Sequence, residues 1–495
     1  MSKTVAVIGA GVGGLSASIR LAAAGYRVIC FEQHPAPGGK MREFRAGGFR
    51  WDAGPSVITM RPVFEELFAA AGERLEDWLT LTPVDPLTRY FFADGKKLDV
   101  KLDRAATVKQ IAEIDARDAS GYSAYLDHAA FLHEITSPLF VFGERPRPTD
   151  LPKVGVMNAL RLQPFSRMHG SIKGYIRSPQ MRQLLGRFAT YIGSSPYHAP
   201  ATLGVISHVE LNQGVWYPEG GIYSIARALH QLACKLGVDV RVGAAVERIT
   251  VRDGRAAGAQ LTDGSEVSAD AVLANVDTAL VYNRLLPQDQ APARRARKLG
   301  LQKLSCSGFI LLLGVRGVHE DLAHHNIFFC RDYRQEFVDI FDRKTPPSEP
   351  TIYASITCKS TPEDAPAGHE NWYLLVNAPA VGPEYDWNKR AEEYRDVALG
   401  QLAQFGYDLR GRIVTEQRIT PNDIEAKTAS WRGALYGELF DSPWVAFRRP
   451  ESRAGDVKGL YLCGGTTHPG GGVPMVMLSG KLAAKAIMED LSAAN

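Results

Sequence analysis

The chain has 495 residues, 45% of them apolar and 22% charged, with a net charge of +3. That length exceeds what one hydrophobic core usually spans, so two or more structural regions are expected. The small net charge argues against a nucleic-acid partner. The six cysteines (Cys30, Cys234, Cys306, Cys330, Cys358 and Cys463) are scattered with no CxxC pair, which predicts reduced thiols in a cytoplasmic protein and argues against a disulfide frame or zinc site.

MSKT runs directly into a β-rich stretch, so no signal peptide is expected. Thr4 to Ile8 reads as a strand, Leu15 to Ala24 as a helix stopped by Gly25, and Arg27 to Phe31 as a second strand closed by Glu32. The glycines between them have distinct tasks: Gly9 makes the tight turn, Gly11 admits a pyrophosphate to the backbone, and Gly14 lets helix pack on strand. The pyrophosphate is expected at the helix N-terminus, where free N–H groups and the dipole favour negative charge. Glu32, eighteen positions after Gly14, is placed to accept hydrogen bonds from ribose hydroxyls. It would repel a 2′-phosphate, which leaves NAD or FAD.

The next segment favours FAD. Gly38 and Gly39 are followed by Lys40 and Arg42, then by Asp52, Gly54, Pro55 and Ser56. A glycine turn carrying cations can wrap back over a larger cofactor. Met60 to Ala71 has helical spacing, Arg89 to Phe92 and Lys97 to Leu102 read as a hairpin, and Thr107 to Ile135 reads as helix with a break near Ser120-Gly121. The proline-rich run Ser137 to Lys153 is the expected interdomain crossing. Between Leu151 and Ser207 there are seven cations (Lys153, Arg161, Arg167, Lys173, Arg177, Arg182, Arg187) and no acid. Val154, Val156, Met157, Leu160, Leu162, Phe165, Met168, Ile172, Tyr175 and Ile176 are interleaved with them. Such a stretch is expected to lie at an anionic membrane surface.

From Gly214 the chain returns to nucleotide-binding patterns. A helix is expected over Ile222 to Leu236, followed by strands Asp239 to Val242, Ala245 to Arg252, Ala257 to Leu261 and Ala271 to Ala274, which would add to the cofactor sheet. Strands at Ser307 to Gly314, Asn326 to Phe329, Tyr353 to Thr357 and Trp372 to Ala378, then a helix Asn388 to Phe405, suggest a sheet-and-helix substrate lid. The tail, Gly459 to Gly480, runs from a short strand through glycines into a helix whose N-terminus at Gly472 to Met475 would face a flavin ring. The longest aliphatic run, Phe309 to Val315, is far short of the roughly 20 residues a membrane span needs. The expected regions are 1–110, 214–300 and 450–495 for the cofactor, 111–213 for a helical, basic region and 301–449 for substrate.

No HExxH, GxSxG or P-loop motif occurs, and no metal site is expected. His324-His325 is read as a surface pair with diverging side chains. A base that takes a proton beside the departing hydride is sought in His468, on the glycine loop, or in Glu219. Arg187, Tyr191 and Trp216 are placed at a tunnel mouth.

Four segments resemble the bacterial carotenoid desaturases, the phytoene-desaturase-like FAD enzymes: the N-terminal unit through PGGKM, DAGPSVITM (Asp52 to Met60), GVWYPEGGIYSIARAL (Gly214 to Leu229) and CGGTTHPGGGVPMVMLSGK (Cys463 to Lys481). The glycine fingerprint is common among flavoproteins, whereas HPGGGVP together with WYPEGG is far more specific. The resemblance implies an α/β chain with a Rossmann-like FAD-binding domain of the two-dinucleotide-fold type, a mixed α+β substrate domain and a helical membrane-facing region. It implies that Gly9, Gly11, Gly13, Gly14, Glu32, Gln33, Gly39, Lys40, Met41, Gly54, Pro55, Ser56, Val246, Gly464, Gly465, Gly472, Val473, Pro474 and Met475 form the flavin site, with Val246 near the adenine. The implied activity is hydride removal from an acyclic carotenoid, with quinone or oxygen as electron acceptor, at the inner membrane. The segment Arg187 to Leu203 departs toward late-pathway members, the hydroxycarotenoid 3,4-desaturases and terminal-methyl oxygenases. Oxygenation or isomerisation of a carotenoid is therefore the alternative outcome; amine oxidation and a non-redox prenyl carrier are more distant ones.

Overall fold

The computed structural model describes residues 3–155, 158, 161–163, 165–287, 289 and 291–493. Strand β1 (Thr4–Ile8) is an apolar run buried along almost its whole length. It turns at Gly9, in the left-handed region at φ +96°, into the helix Val12–Ala23 and then β2 (Arg27–Phe31). A hairpin follows, β3 (Glu43–Ala46) and β4 (Phe49–Asp52), then the helix Arg61–Ala70, β5 (Leu81–Pro83), β6 (Thr88–Phe91) and β7 (Lys97–Val100). The helices Arg104–Ile114 and Asp118–Phe140 are separated at residues 115–117. The expected break at Ser120-Gly121 is instead helix interior. A side chain at Gly121 would place its Cβ 2.0 Å from Tyr175 O, so this glycine serves close packing and not termination.

The basic stretch folds as short helices, among them Met168–Tyr175, Pro179–Gly186 and Val205–Leu211. Val156, Met157 and Leu160 of that stretch lie outside the described residues. Met168, Ile172 and Ile176 are fully buried in the main core, so these three side chains face the protein, whereas Phe165 is 96% exposed.

The remaining strands are β8 (Trp216–Pro218), β9 (Asp239–Arg241), β10 (Val246–Arg252), β11 (Arg255–Leu261), β12 (Glu266–Ser268), β13 (Ala271–Ala274), β14 (Ser307–Arg316), β15 (His325–Phe328), β16 (Ile352–Ile356), β17 (His369–Ala378), β18 (Ile413–Ile419) and β19 (Leu460–Leu462). Five of them form a parallel sheet in the order β19-β13-β1-β2-β9. Of the strands expected to extend it, β9 and β13 do so. β10, β11 and β12 form their own antiparallel sheet. A seven-stranded sheet runs β18-β14-β17-β16-β15-β6-β7. The β6–β7 hairpin, expected within the first cofactor region, therefore belongs to this second sheet through parallel pairing of β6 with β15. β18 was not expected, because TEQR interrupts its apolar pattern.

Helices cover one face of the parallel sheet. The first helix, Val12–Ala23, packs against the last, Val473–Ser492: Ser16 Oγ donates to Met477 O at 3.0 Å, and a Cβ at Gly480 would lie 2.4 Å from Gly13 O. Among the described residues no helix is long and apolar enough to cross a membrane. Alanine is the better helix former by about 1 kcal/mol, yet Gly480→Ala is expected to lower stability by about 1–3 kcal/mol, because backbone must move to admit the methyl. Thermal melting of the two proteins checks the sign; a stabilised variant would sink the close-approach argument.

Candidate cofactor and substrate site

The carboxyl ends of β1, β13 and β19 meet at one crevice, the position at which open parallel sheets hold ligands. Gly9 N donates to Phe31 O at 2.7 Å, and a Cβ at Gly14 would lie 2.1 Å from Gly9 O. Asn275, directly after β13, joins the parts: its Nδ2 donates to Gly9 O at 3.1 Å and its Oδ1 accepts from Cys463 Sγ at 3.4 Å. Added Cβ atoms at Gly11, Gly13 and Gly464 would all approach the Asn275 amide to 3.0 Å or less. The glycines therefore let Asn275 and neighbouring backbone pack where side chains would stand.

The loop after β2 closes over this turn. Gly38 N donates to Ala10 O at 2.8 Å, Met41 is buried, and a Cβ at Gly39 would be 3.1 Å from Gly11 Cα. Gly54 passes so close behind Lys40 that its Cβ would lie 2.0 Å from Lys40 O. Pro55 and Ser56 continue this wall half-buried. Lys40 is exposed, and its Nζ donates to Leu435 O at 2.7 Å. Glu32 is buried and accepts from Ala10 N and His34 N, each at 3.0 Å. Gln33 is exposed beside His34. Ala244 N donates to Glu32 O at 2.8 Å, which brings the chain leading into Val246 alongside Glu32.

The tail supplies the opposite wall. Gly464 N donates to Ser479 Oγ at 3.1 Å, and Gly465 O accepts from Arg449 Nη1 at 3.1 Å. The last helix begins at Val473 and Pro474, both buried, followed by half-buried Met475. Neither its N-cap, Gly472, nor the first helix's N-cap, Gly11, has a side-chain cap, so both helix starts keep N–H groups available to an anion. Tyr436 is wedged between the loops: Cβ atoms at Gly471 and Gly193 would lie 2.5 and 2.7 Å from its ring.

Other expectations are corrected. His468 is buried with its Nε2 on Gly143 O at 3.1 Å, and burial pushes its pKa down to about 4; it braces the loop as a neutral imidazole. Glu219 is exposed on the turn after β8, where its N–H donates to Thr80 O at 2.9 Å. Arg187 and Glu210 form a buried ion pair. Arg187 Nε donates to Tyr90 Oη at 2.7 Å, and Tyr191 donates to Glu210. Burial disfavours the Arg187 charge, but Glu210, Tyr90 and Tyr191 together outweigh it and hold the guanidinium pKa well above its ordinary value. Arg187 is thus a buried charge held by its ion pair. Trp216 lies apart from this pair, with the Arg61 guanidinium 5.1 Å from its ring centroid. His324 and His325 are buried with ring centroids 4.3 Å apart, contrary to the surface reading. A groove of about 530 Å³ lies behind the crevice, between Arg20, Phe142, Lys481 and Met488. Asn275, Asp277, Tyr436 and Arg449 were missed. Only Asn275 had a usable signal, its place at the carboxyl end of a strand beside β1.

Residues 12–488 match the family model of flavin containing amine oxidoreductases. A 4,4'-diapolycopene oxygenase of Methylomonas sp is 36% identical over 497 residues, covering 99% of each chain. A 4,4'-diaponeurosporene oxygenase of Staphylococcus aureus is 35% identical over 98% of each. Among solved structures, an oxidoreductase of Methanosarcina mazei superposes with a TM-score of 0.64 at 19% identity, covering 98% of this chain and 100% of that one. A putrescine oxidase redesigned for cofactor binding superposes at 0.66 and 14%, covering 99% of each. The glycine cradle and the open helix starts fit a dinucleotide. The chain belongs to the flavin containing amine oxidoreductases and is an FAD-dependent oxidoreductase.

Proposed function

We propose that this enzyme oxidises a carotenoid. The observation that carries the reading is end-to-end similarity to two carotenoid oxygenases, supported by half-buried aromatic side chains (Tyr191, Tyr197, Phe341, Tyr353) packed on the core, which suit a polyene. Those relatives favour oxygenation at a chain terminus. Desaturation of an acyclic carotenoid, phytoene-like or hydroxylated, is the second reading, favoured by the HPGGGVP and WYPEGG motifs. The electron acceptor is quinone or oxygen.

When bound, FAD supplies the hydride acceptor. In this reading Gly9, Gly11, Gly13 and Gly14 present backbone to its pyrophosphate, and Glu32 takes the ribose hydroxyls with Gln33 and Val246 toward the adenine. Gly39, Lys40, Met41 and Gly54 to Ser56 close over it. Gly464 and Gly465 hold the ribityl side, and the helix start at Gly472 to Met475 faces the ring. Peripheral membrane attachment is assigned to exposed Phe165 and Trp444, 96% and 57% exposed; Arg167, which donates to Asp441 O at 2.6 Å, joins the two segments.

Three outcomes test this reading. Asn275→Ala leaves Gly9 O unpaired at a cost of about 1–3 kcal/mol, so FAD affinity should fall about tenfold or more in a fluorescence titration; unchanged affinity refutes the hub. Expression in cells making a panel of acyclic carotenoids should give pigments that gain oxygen. Loss of two hydrogens per step would establish the desaturase instead, and unchanged pigments from FAD-loaded protein would end the carotenoid reading. Replacing Phe165 and Trp444 by alanine should lower the affinity for anionic vesicles, read by co-sedimentation, at least about a hundredfold, since burying each ring is worth about 1.5–3 kcal/mol; equal sedimentation would place the membrane contact elsewhere.

A further inference from the structure

Three arginines among the described residues are almost fully buried: Arg50, Arg187 and Arg449, at 4%, 7% and 6% exposure. Two of them are neutralised. Arg50 pairs with Glu43, Asp52 and Asp364, and Arg187 pairs with Glu210. Arg449 forms no ion pair among the described residues. The acid that faces it, Glu438, is held at 2.9 Å by the neighbouring Arg448. Burial lowers the Arg449 pKa, and Glu438 only opposes that shift. In Arg50 and Arg187 burial acts the same way, but the carboxylates and phenols beside them outweigh it.

Its hydrogen bonding is equally incomplete. A guanidinium has five N–H donors, and among the described residues the Arg449 side chain makes one bond, from Nη1 to Gly465 O at 3.1 Å. Its Nε is buried without a partner. A buried cation without a counter-charge is costly, and a neutral amide could brace one carbonyl as well. The place of this cation gives it a use. Gly464 packs on Asn275, where a Cβ would lie 3.0 Å from Oδ1, and Asn275 holds Gly9 O. Thr466 Oγ1 accepts from Thr278 N at 3.0 Å. The loop from Gly464 is therefore a wall of the crevice. It doubles back over the guanidinium: a Cβ at Gly470, at φ +139°, would lie 2.9 Å from Arg449 Nη1. Two residues on, the last helix starts at uncapped Gly472, where its dipole adds positive potential. His468 on the same loop is a neutral imidazole, its pKa pushed down to about 4 by burial, and Arg145 is paired with Glu451.

We propose that Arg449 is the electrostatic counterpart of the flavin ring, favouring the negative charge that the ring gains on reduction. The proposal rests on the placement of the tail loop at the ring end of FAD. On reduction by two electrons with uptake of one proton, one net negative charge stays on the ring. The electrons come from substrate in turnover and from dithionite in the test below. Arg449 neither gives nor takes a proton; it acts through its field, as a positioning residue. A fixed cation in a water-poor wall stabilises such charge more than mobile solvent does. Binding and reduction are linked, so each tenfold preference for reduced over oxidised FAD raises the two-electron midpoint by about 30 mV.

The test measures the midpoint potential of FAD in the holoenzyme, by dithionite titration against reference dyes, together with FAD affinity; it needs no carotenoid and no turnover. Arg449→Gln removes the charge and keeps an amide donor for Gly465 O. It should lower the preference for reduced FAD at least about tenfold, which is a midpoint lower by at least about 30 mV. Arg449→Lys should restore most of that shift. Glu438→Gln removes the facing acid and should move the midpoint the other way, upward, which a packing defect would not do. Should Arg449→Gln lose FAD, the sign of the Glu438→Gln shift decides alone. Equal loss of affinity for both forms in Arg449→Gln, leaving the midpoint unchanged, would put the cation at the pyrophosphate and overturn the placement of the ring. Unchanged affinity and midpoint in that variant, or no rise in Glu438→Gln, would overturn the role of Arg449 and leave the placement standing.

Discussion

Backbone meets backbone at the turn after β1, and the fold is arranged around that contact. Gly14 brings the first helix against Gly9 O at a distance where a Cβ would lie 2.1 Å away, and Asn275 holds the same carbonyl from β13. Gly464 meets Asn275 from β19, and Gly480 presses the last helix onto Gly13. Segments separated by more than 450 residues converge here. Closing such long loops costs only slowly increasing entropy with length, whereas a side chain at the junction costs steeply. A cofactor region assembled from distant pieces, with most of the seven-stranded sheet inserted between them, follows from that balance.

Buried charge joins the inserted parts to the frame. Arg50 on β4 pairs with Asp52 at 2.5 Å and with Asp364 at 3.0 Å, linking the early hairpin to the loop after β16. Arg187 and Glu210 do the same for the helical region, with Tyr90 of the second sheet as third member. Desolvation makes such pairs weak contributors to net stability, while breaking one strands the other charge. Their effect is to penalise any other docking of helices on sheet.

Of the two expected bases, His468 braces backbone and Glu219 faces solvent. Hydride chemistry needs orientation and an enclosed, dry space more than it needs a nucleophile.

The βαβ unit, the Gly38-Gly39 loop, the hairpin at Asp94-Gly95 and the tail helix were legible in the sequence because each rests on local rules: glycine at positive φ, periodic apolar residues, an acid after the second strand. The substrate end was not. Arg187, Tyr191 and Trp216 looked alike as polar or aromatic residues near a glycine segment, and only packing separated an ion pair from an aromatic on another strand. The basic stretch had the composition of a surface helix, but which way Met168 and Ile172 face depends on neighbours over 40 residues away, Tyr122 and Tyr125 among them. His324-His325 was read as exposed because two adjacent polar residues on a strand normally straddle its faces. Burying both required a strand end covered on each side, by β16 and by Tyr217. The sequence by itself thus determined the cofactor and the turn that cradles it, since a backbone approach is written in the absence of side chains. Which polar groups are buried, and what they face, was decided only when the two sheets met.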